Sequence, residues 1–296
     1  MGRIALDDAD LVAAINRLTG AGLVVRGRSA SGKLGGAVFV DWPDGRPGVV
    51  TIFQGSLDEA EAVAGLLNDL RDRGLPVPRH ERVVDLGDQV AFVQERLPAG
   101  PSRPLNPRRI DAMVEINERF AGALTHYPGV PPVEQWFRAD CDGPQQIISL
   151  VPQGDHRAAD VVGEIIRLTT SPSSVQTLAG TDLVHVDLSA ANVLFDADDA
   201  ATAVVDWNLG TFRGNRRVAL VQARFDREWF VRRPDATTAA VSAARRLDQV
   251  LEDVISPDTL RIYWAFWLRH QLSKAFRSGS EAVIDWQLQL AESRLQ

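Results

Sequence analysis

The chain of 296 residues is 45% hydrophobic and 24% charged, a balance that fills one large or two modest packed domains and excludes extended disorder. Its 39 acidic side chains exceed the 32 basic ones, and the Arg pairs beginning at Arg108, Arg216, Arg232 and Arg245 are scattered, which argues against nucleic acid as a partner. A single cysteine, Cys141, allows no internal disulfide, and His80, His126, His156, His185 and His270 are too far apart for a structural zinc.

In chain order, ADLVAAINRLTGAG has helical apolar spacing and closes on a glycine C-cap region, after which LVVRG reads as a strand. The next stretch, GRSASGKL from Gly27 to Leu34, nearly spells the P-loop pattern of two glycines, then lysine, then a hydroxyl residue. Leu34 holds the hydroxyl position, however, and GGAVFV beyond it alternates as a strand, so no helix N-terminus is supplied for phosphates. The stretch is expected instead to be a loop between the first two strands of an antiparallel meander. Its glycines can let backbone amides cover phosphates from above, or can simply turn the chain. LGGAVFVDW and GVVTIF follow as strands joined by the turn PDGRP. SLDEAEAVAGLLNDLRDRG is a helix with a Ser cap, an acidic first turn and terminal arginines. PVPRHERVVDLGDQVAFVQERLPAG then gives two more strands around LGDQ. Pro98, Gly100, Pro101, Pro104 and Pro107 form the densest cluster of breakers. The expected plan is therefore α+β: residues 1–97 a small lobe with a five-stranded antiparallel sheet and one long helix, residues 98–296 a larger, mainly helical lobe.

The chemistry is concentrated in LVHVDLSAANVLFDADDAATAVVDWNLG. His185, Asp187 and Asn192 have the spacing H-x-D-x-x-x-x-N, and Asp206 ends the apolar run TAVVD. A hydroxyl that accepts a phosphoryl group needs a carboxylate to orient it and take its proton, a role open to Asp187. Mg²⁺ prefers oxygen ligands and keeps several waters, so one amide and one carboxylate, Asn192 and Asp206, suit it. VLF and AVV should pair around the DADD turn and present both ligands at one end, with His185 bracing the loop. Asp is common at turns and strand ends, so either half alone is weak; the two in order, after a five-stranded sheet, are more telling.

These residues resemble those of the aminoglycoside phosphotransferase and choline kinase-like group of small-molecule kinases. VHVDLSAANVLFD and VVDW match the group's His-Gly-Asp-Leu-x-x-x-Asn-x-Leu and Ile-Asp-Trp elements, and GLPVPR and FVQERLPAG match more weakly. The resemblance spans nearly the whole chain and implies a bilobal protein-kinase-like fold. It implies that Asp187, with His185, is catalytic and that Asn192 and Asp206 hold Mg²⁺. It further implies that the backbone around Gln94, Glu95, Arg96 and Leu97 reads the base of ATP or GTP, while Gly27, Ser29, Ser31, Gly32 and Lys33 of the glycine-rich stretch are the candidates to cover its phosphates.

Three departures stand out. The group's third strand carries a phosphate-binding lysine, and Thr51 occupies that place here. Lys33 is the first candidate to replace its charge, ahead of Arg28 and Arg26, because a flexible ammonium needs no bidentate geometry. Glu59 and Glu61 on the long helix then lack their usual lysine partner. Val186 replaces a glycine beside Asp187, and Asn215 and Ala219 stand where acids are usual.

The acceptor is expected to meet the helical lobe, through Trp229, Trp264 or Trp267 for stacking and Asp226 or Glu228 for ammonium or hydroxyl groups. Aromatics at Tyr263, Trp264 and Trp267 are equally the pattern of a helix core. The sequence thus predicts a Mg²⁺-dependent O-phosphotransferase that moves the γ-phosphoryl group of ATP or GTP to an antibiotic-like hydroxyl, aminoglycoside or sugar-nucleoside, in the service of antibiotic resistance. The alternative is a binding or regulatory pseudokinase, favoured by Thr51; a protein kinase is disfavoured because no Ala-Pro-Glu segment follows Asp206. No leader-like start and no apolar run of membrane-span length occur, so a cytoplasmic protein without a membrane partner is expected.

Overall fold

A computed structural model describes residues 7–29, 36–100, 103–139 and 144–296. The elements run α1 Asp8–Thr19, β1 Val24–Arg28, β2 Val38–Asp41, β3 Pro47–Phe53, α2 Leu57–Asp72, β4 His80–Asp85 and β5 Val90–Glu95. They continue with α3 Pro107–Glu118, α4 Val133–Ala139, α5 Pro144–Leu150, α6 His156–Thr170, α7 Pro172–Leu178, β6 Asp182–Val184, β7 Val193–Phe195, β8 Ala201–Val204 and β9 Phe212–Gly214. Four helices close the chain: α8 Val218–Val231, α9 Thr238–Val254, α10 Pro257–Ser278 and α11 Glu281–Arg294. The chain forms two compact units, one joining residues up to Arg103 with Ser189–Thr211, the other joining Pro104–Leu188 with Phe212–Gln296.

In the first unit five antiparallel strands lie in the order β1-β2-β3-β5-β4, as the expected small lobe requires. Strand alternation gives the sheet two faces. One face carries Val38, Val40, Val50, Ala91 and Val93 into a core with Leu11, Val12 and Ile15 of α1. Asn16 fixes that helix to the sheet, since its side chain both donates to Leu23 O at 2.9 Å and accepts from Leu23 N–H at 2.7 Å. The other face carries Thr51, Phe53, Phe92 and Gln94, with the Phe53 and Phe92 rings 5.1 Å apart. α2 packs along β4 and β5 and starts on a capping box in which Ser56 and Glu59 satisfy each other's end of the helix. Glu59, one of the two acids left without a lysine, thus has its partner in Ser56. His80 on β4 is buried against the Phe92 ring, and burial lowers its pKa to about 4.

The near P-loop stretch leads from one strand to another, because β1 and β2 pair antiparallel from Val24 with Asp41 to Arg28 with Val38. Gly27 sits at the register shift in β1 with φ +146, a conformation L side chains rarely adopt.

β7 and β8 form a hairpin with Val193 opposite Val204, and Asp196 closes its turn by accepting the N–H groups of Asp198 and Ala200, each at 2.9 Å. The hairpin joins the sheet unit through Val204 N–H to Pro76 O at 2.8 Å and Gly100 N–H to Phe195 O at 2.6 Å. Only glycine fits at the second contact, since a Cβ on residue 100 would stand 2.5 Å from the Asp196 carbonyl carbon.

The second unit is helical apart from β6 and β9, which pair antiparallel. α10 packs against α5, α6, α7, α8 and α11. It is bounded by the Ser256 cap, Pro257 in its first turn and Gly279 in the left-handed conformation at its end. Among the described residues no helix is long and apolar enough to cross a membrane.

Candidate active site

The sequence-predicted constellation divides into two clusters, His185 with Asp187 in the helical unit and Asn192 with Asp206 in the sheet unit. In the helical unit, β6 ends at Val184 and the chain turns through His185, Val186 and Asp187. His185 is buried, and its Nδ1 accepts the N–H of Asp187 at 3.2 Å, so the ring braces the loop from within. Val186, in place of the usual glycine, is buried as well. The Asp187 carboxylate is half-buried, and its Oδ1 accepts from Gln222 Nε2 on α8 at 3.0 Å. The Gln222 amide is itself buried and its Oε1 has no hydrogen-bond partner, so the group is committed to Asp187. Sequence reasoning missed Gln222, because a glutamine within an apolar helix carries no local signal of what it will face.

In the sheet unit, Asn192 lies at the entry to β7, buried, and its carbonyl accepts the Val205 N–H at 2.8 Å. That bond extends the β7–β8 ladder by one pair. Asn192 and Asp206 therefore lie at the same end of the hairpin, as the VLF and AVV pairing leads one to expect. Asp206 is exposed and has φ +66, a conformation carboxylates tolerate better than most side chains. Trp207 beside it is fully buried and donates from Nε1 to Val204 O at 3.0 Å, which anchors the turn. An amide oxygen and a carboxylate are hard donors that fit Mg²⁺ and Mn²⁺. No cluster of three or more His, Cys, Asp or Glu able to hold a metal occurs among the described residues. A cation at the hairpin would complete its shell with water and substrate oxygens, as Mg²⁺ ordinarily does.

Thr51, at the lysine position, joins this second cluster. Its hydroxyl accepts from Gln94 Nε2 at 2.9 Å and donates to Asn208 Oδ1 at 2.9 Å. Asn208 Nδ2 in turn donates to Asp206 Oδ1 at 2.5 Å. Gln94, singled out for base recognition through its backbone, thus has a separate side-chain role, and Asn208 was not foreseen at all. Farther along β5, Glu95 N–H donates to Arg79 O at 2.9 Å and Arg96 N–H to Pro47 O at 3.3 Å, which engages both groups within the lobe. The Arg96 guanidinium lies 3.8 Å over the Phe39 ring, and Leu97 is half-buried beyond it.

Ser29 closes the β1–β2 ribbon by donating its N–H to Ala37 O at 2.8 Å. Ser31, Gly32 and Lys33 lie outside the described residues. The other two cations considered as replacements have partners: Arg26 pairs with Asp41 at 2.6 Å and Arg28 with Asp8 at 2.5 Å. Both pairs are open to solvent, where such contacts hold weakly and exchange easily.

The residues assigned to the acceptor fall in two environments. Trp264 and Trp267 are 1% and 5% exposed and belong to the helical core, where Trp267 stacks on Trp136 at 5.6 Å and meets Phe225 edge-on at 5.7 Å. Trp229 is 42% exposed and rests edge-on against Trp286 at 4.1 Å. Asp226 pairs with Arg227. The Glu228 carboxylate is buried among arginines, 2.7 Å from Arg224, 3.6 Å from Arg232 and 3.7 Å from Arg294. Asn215, where an acid is usual, still caps its turn by accepting the Arg217 N–H at 3.1 Å, and Ala219 is buried at the start of α8.

A family model described as a phosphotransferase enzyme family, APH, matches residues 29–213. No curated protein matches the chain. Among solved structures, an aminoglycoside phosphotransferase from Alicyclobacillus acidocaldarius aligns with a TM-score of 0.58 at 14% identity, over 100% of this chain and 95% of its own. A thermostable mutant of aminoglycoside phosphotransferase APH(4)-Ia, in a ternary complex with ADP and hygromycin B, aligns with a TM-score of 0.66 at 16% identity, over 96% of this chain and 97% of its own. Aminoglycoside phosphotransferase APH(3'')-Id from Streptomyces rimosus gives 0.52 at 15%, over 88% and 98%. At these identities the likeness establishes the bilobal kinase-like fold.

Proposed function

The chain belongs to the phosphotransferase enzyme family, and from that premise we propose that it moves the γ-phosphoryl group of ATP or GTP to a hydroxyl of a small antibiotic-like acceptor. The observation that supports the reading is the β7–β8 hairpin, whose ladder brings the backbone of Asn192 and Asp206 to one end, and both residue types carry a hard oxygen donor. These two residues would hold Mg²⁺, which when bound offsets charge on the phosphate oxygens. Asp187 orients the acceptor hydroxyl and receives its proton, with Gln222 fixing one carboxylate oxygen and His185 bracing the loop. Gly27 and Ser29, with Ser31, Gly32 and Lys33, cover the phosphates, and the Gln94–Leu97 segment meets the base. Acceptor contact falls to Trp229 and Asp226, since Trp264 and Trp267 fill the core and Glu228 is taken up by arginines. The acceptor would be an aminoglycoside or sugar-nucleoside, and its phosphorylation would inactivate it.

A second reading, a pseudokinase that binds without turnover, is favoured by the neutral Thr51 in place of a strand lysine. A phosphate mass gain on a hydroxylated acceptor separates the two, and the melting temperature with ATP or GTP, each with and without Mg²⁺, first identifies the donor, because a ligand specific to the folded state raises it. A Mg²⁺-dependent rise, followed by a phosphate mass gain on a hydroxylated antibiotic, is expected of the enzyme. No rise at millimolar concentrations of either nucleotide would reject it.

A further inference from the structure

Four polar side chains from three parts of the sheet unit form one directional chain: Gln94 on β5, Thr51 on β3, and Asn208 and Asp206 after β8. We infer that Thr51 and Gln94 are positioning residues for the Asp206 carboxylate, acting through Asn208. The inference rests on the reading of Asp206 as a holder of Mg²⁺.

The polarity of the chain admits one arrangement. A threonine hydroxyl has one proton, and here it is given to Asn208 Oδ1, so Gln94 must present its NH₂ rather than its carbonyl to Thr51. Asn208 must then turn its NH₂ toward Asp206, since the reverse orientation would set an amide oxygen against a carboxylate. Gln94 is 5% exposed, which keeps its amide from exchanging this bond for water. The Asn208 backbone is fixed as well, because its carbonyl accepts the Gln54 N–H at 2.9 Å. An orientation set at β5 is thereby transmitted to Asp206 Oδ1.

An amide N–H orients a carboxylate without adding a charge of its own, so this chain sets the direction of Asp206 Oδ1. Thr51 thus serves the orientation of an oxygen ligand on the hairpin rather than carrying a cation on the strand.

The test is titration of Mn²⁺ into the full chain with saturating ADP, and in a second series GDP, followed by the enhancement of water-proton relaxation that protein-bound Mn²⁺ gives over a matched Mn²⁺–nucleotide solution without protein. Thr51→Val should weaken Mn²⁺ binding about tenfold while the chain still melts cooperatively, and Thr51→Ser, which keeps the hydroxyl, should stay within about threefold of the parent. Gln94→Met, which removes the first donor at similar volume, should weaken binding several-fold and reads the same chain should Thr51→Val not fold. Asp206→Ala should abolish binding. If Thr51→Val and Gln94→Met bind Mn²⁺ like the parent while Asp206→Ala does not, the positioning role is overturned and the reading of Asp206 stands. Equal weakening by Thr51→Val and Thr51→Ser overturns it too, since packing rather than the hydroxyl would then be at work. Undiminished binding by Asp206→Ala, or none by the parent, overturns the reading of Asp206 itself.

Discussion

Asp187, in the helical unit, receives an amide directly from α8, whereas Asp206, in the sheet unit, ends a chain of three hydrogen bonds that starts on β5. The direct arrangement depends on one helix keeping its rotational phase. The relayed one distributes the same task over two strands and a turn, each already fixed by ladder bonds and by Trp207. A change near Asp187 should therefore act sharply and locally, while a change near Asp206 should be spread and partly absorbed. Both of these contacts come from amides, which set direction without adding a charge of their own.

The contrast can be tested in order of expected effect. Asp187→Ala should lower kcat on the order of a thousandfold or more while nucleotide-dependent thermal shifts survive, and preserved turnover would remove Asp187 from its role. The next effect belongs to the sheet unit. His80 has a folded pKa of about 4 against an ordinary 6.5, so the unfolded chain binds the extra proton between those values. Stability is then full above pH 6.5 and falls by roughly 3 kcal/mol as the pH drops toward 4. Hydrogen exchange should show β4 and β5 losing protection in that window, and His80→Gln should flatten the pH dependence.

Gly100→Ala should cost about 2 kcal/mol, because the hairpin backbone must move to admit the methyl group. Exchange protection should drop first in β7 and β8; an unchanged hairpin would contradict the close approach. Gln222→Leu should reduce kcat roughly tenfold through loss of a hydrogen bond to a carboxylate. The melting temperature should hold or rise, since the variant also removes the unpartnered Oε1. A fall in both would mark Gln222 as a packing residue and dissolve the contrast between the two acids.

Much of the fold was legible because it rests on local signals. The Ser56 cap, the period-2 runs of the five strands and the turn PDGRP each specify their element within a few residues. The hairpin that groups Asn192 with Asp206 was legible for the same reason, since VLF, DADD and AVV define a ladder by themselves. What escaped depends on partners distant in sequence. Gln222 gains meaning only when α8 brings it to Asp187, and Asn208 only when β3 brings Thr51 to it. Trp264 and Trp267 show the limit from the other side: aromatic spacing on a helix is the same whether the rings meet a ligand or a neighbouring helix. Both are buried, and the Trp267 ring meets Trp136 of α4 and Phe225 of α8.

The contacts of Gly100 with Phe195 and of Pro76 with Val204 also bear on how the protein is made. A ribosome delivers the five strands of the sheet unit well before residues 189–211, yet the hairpin that completes that unit is bonded to Pro76 and Gly100. Throughout synthesis of residues 104–188 the nascent sheet waits with those two groups unmet. A fragment ending at Arg103 is therefore an unfinished unit rather than a separable one, and the smallest piece able to carry the proposed metal ligands extends through Thr211.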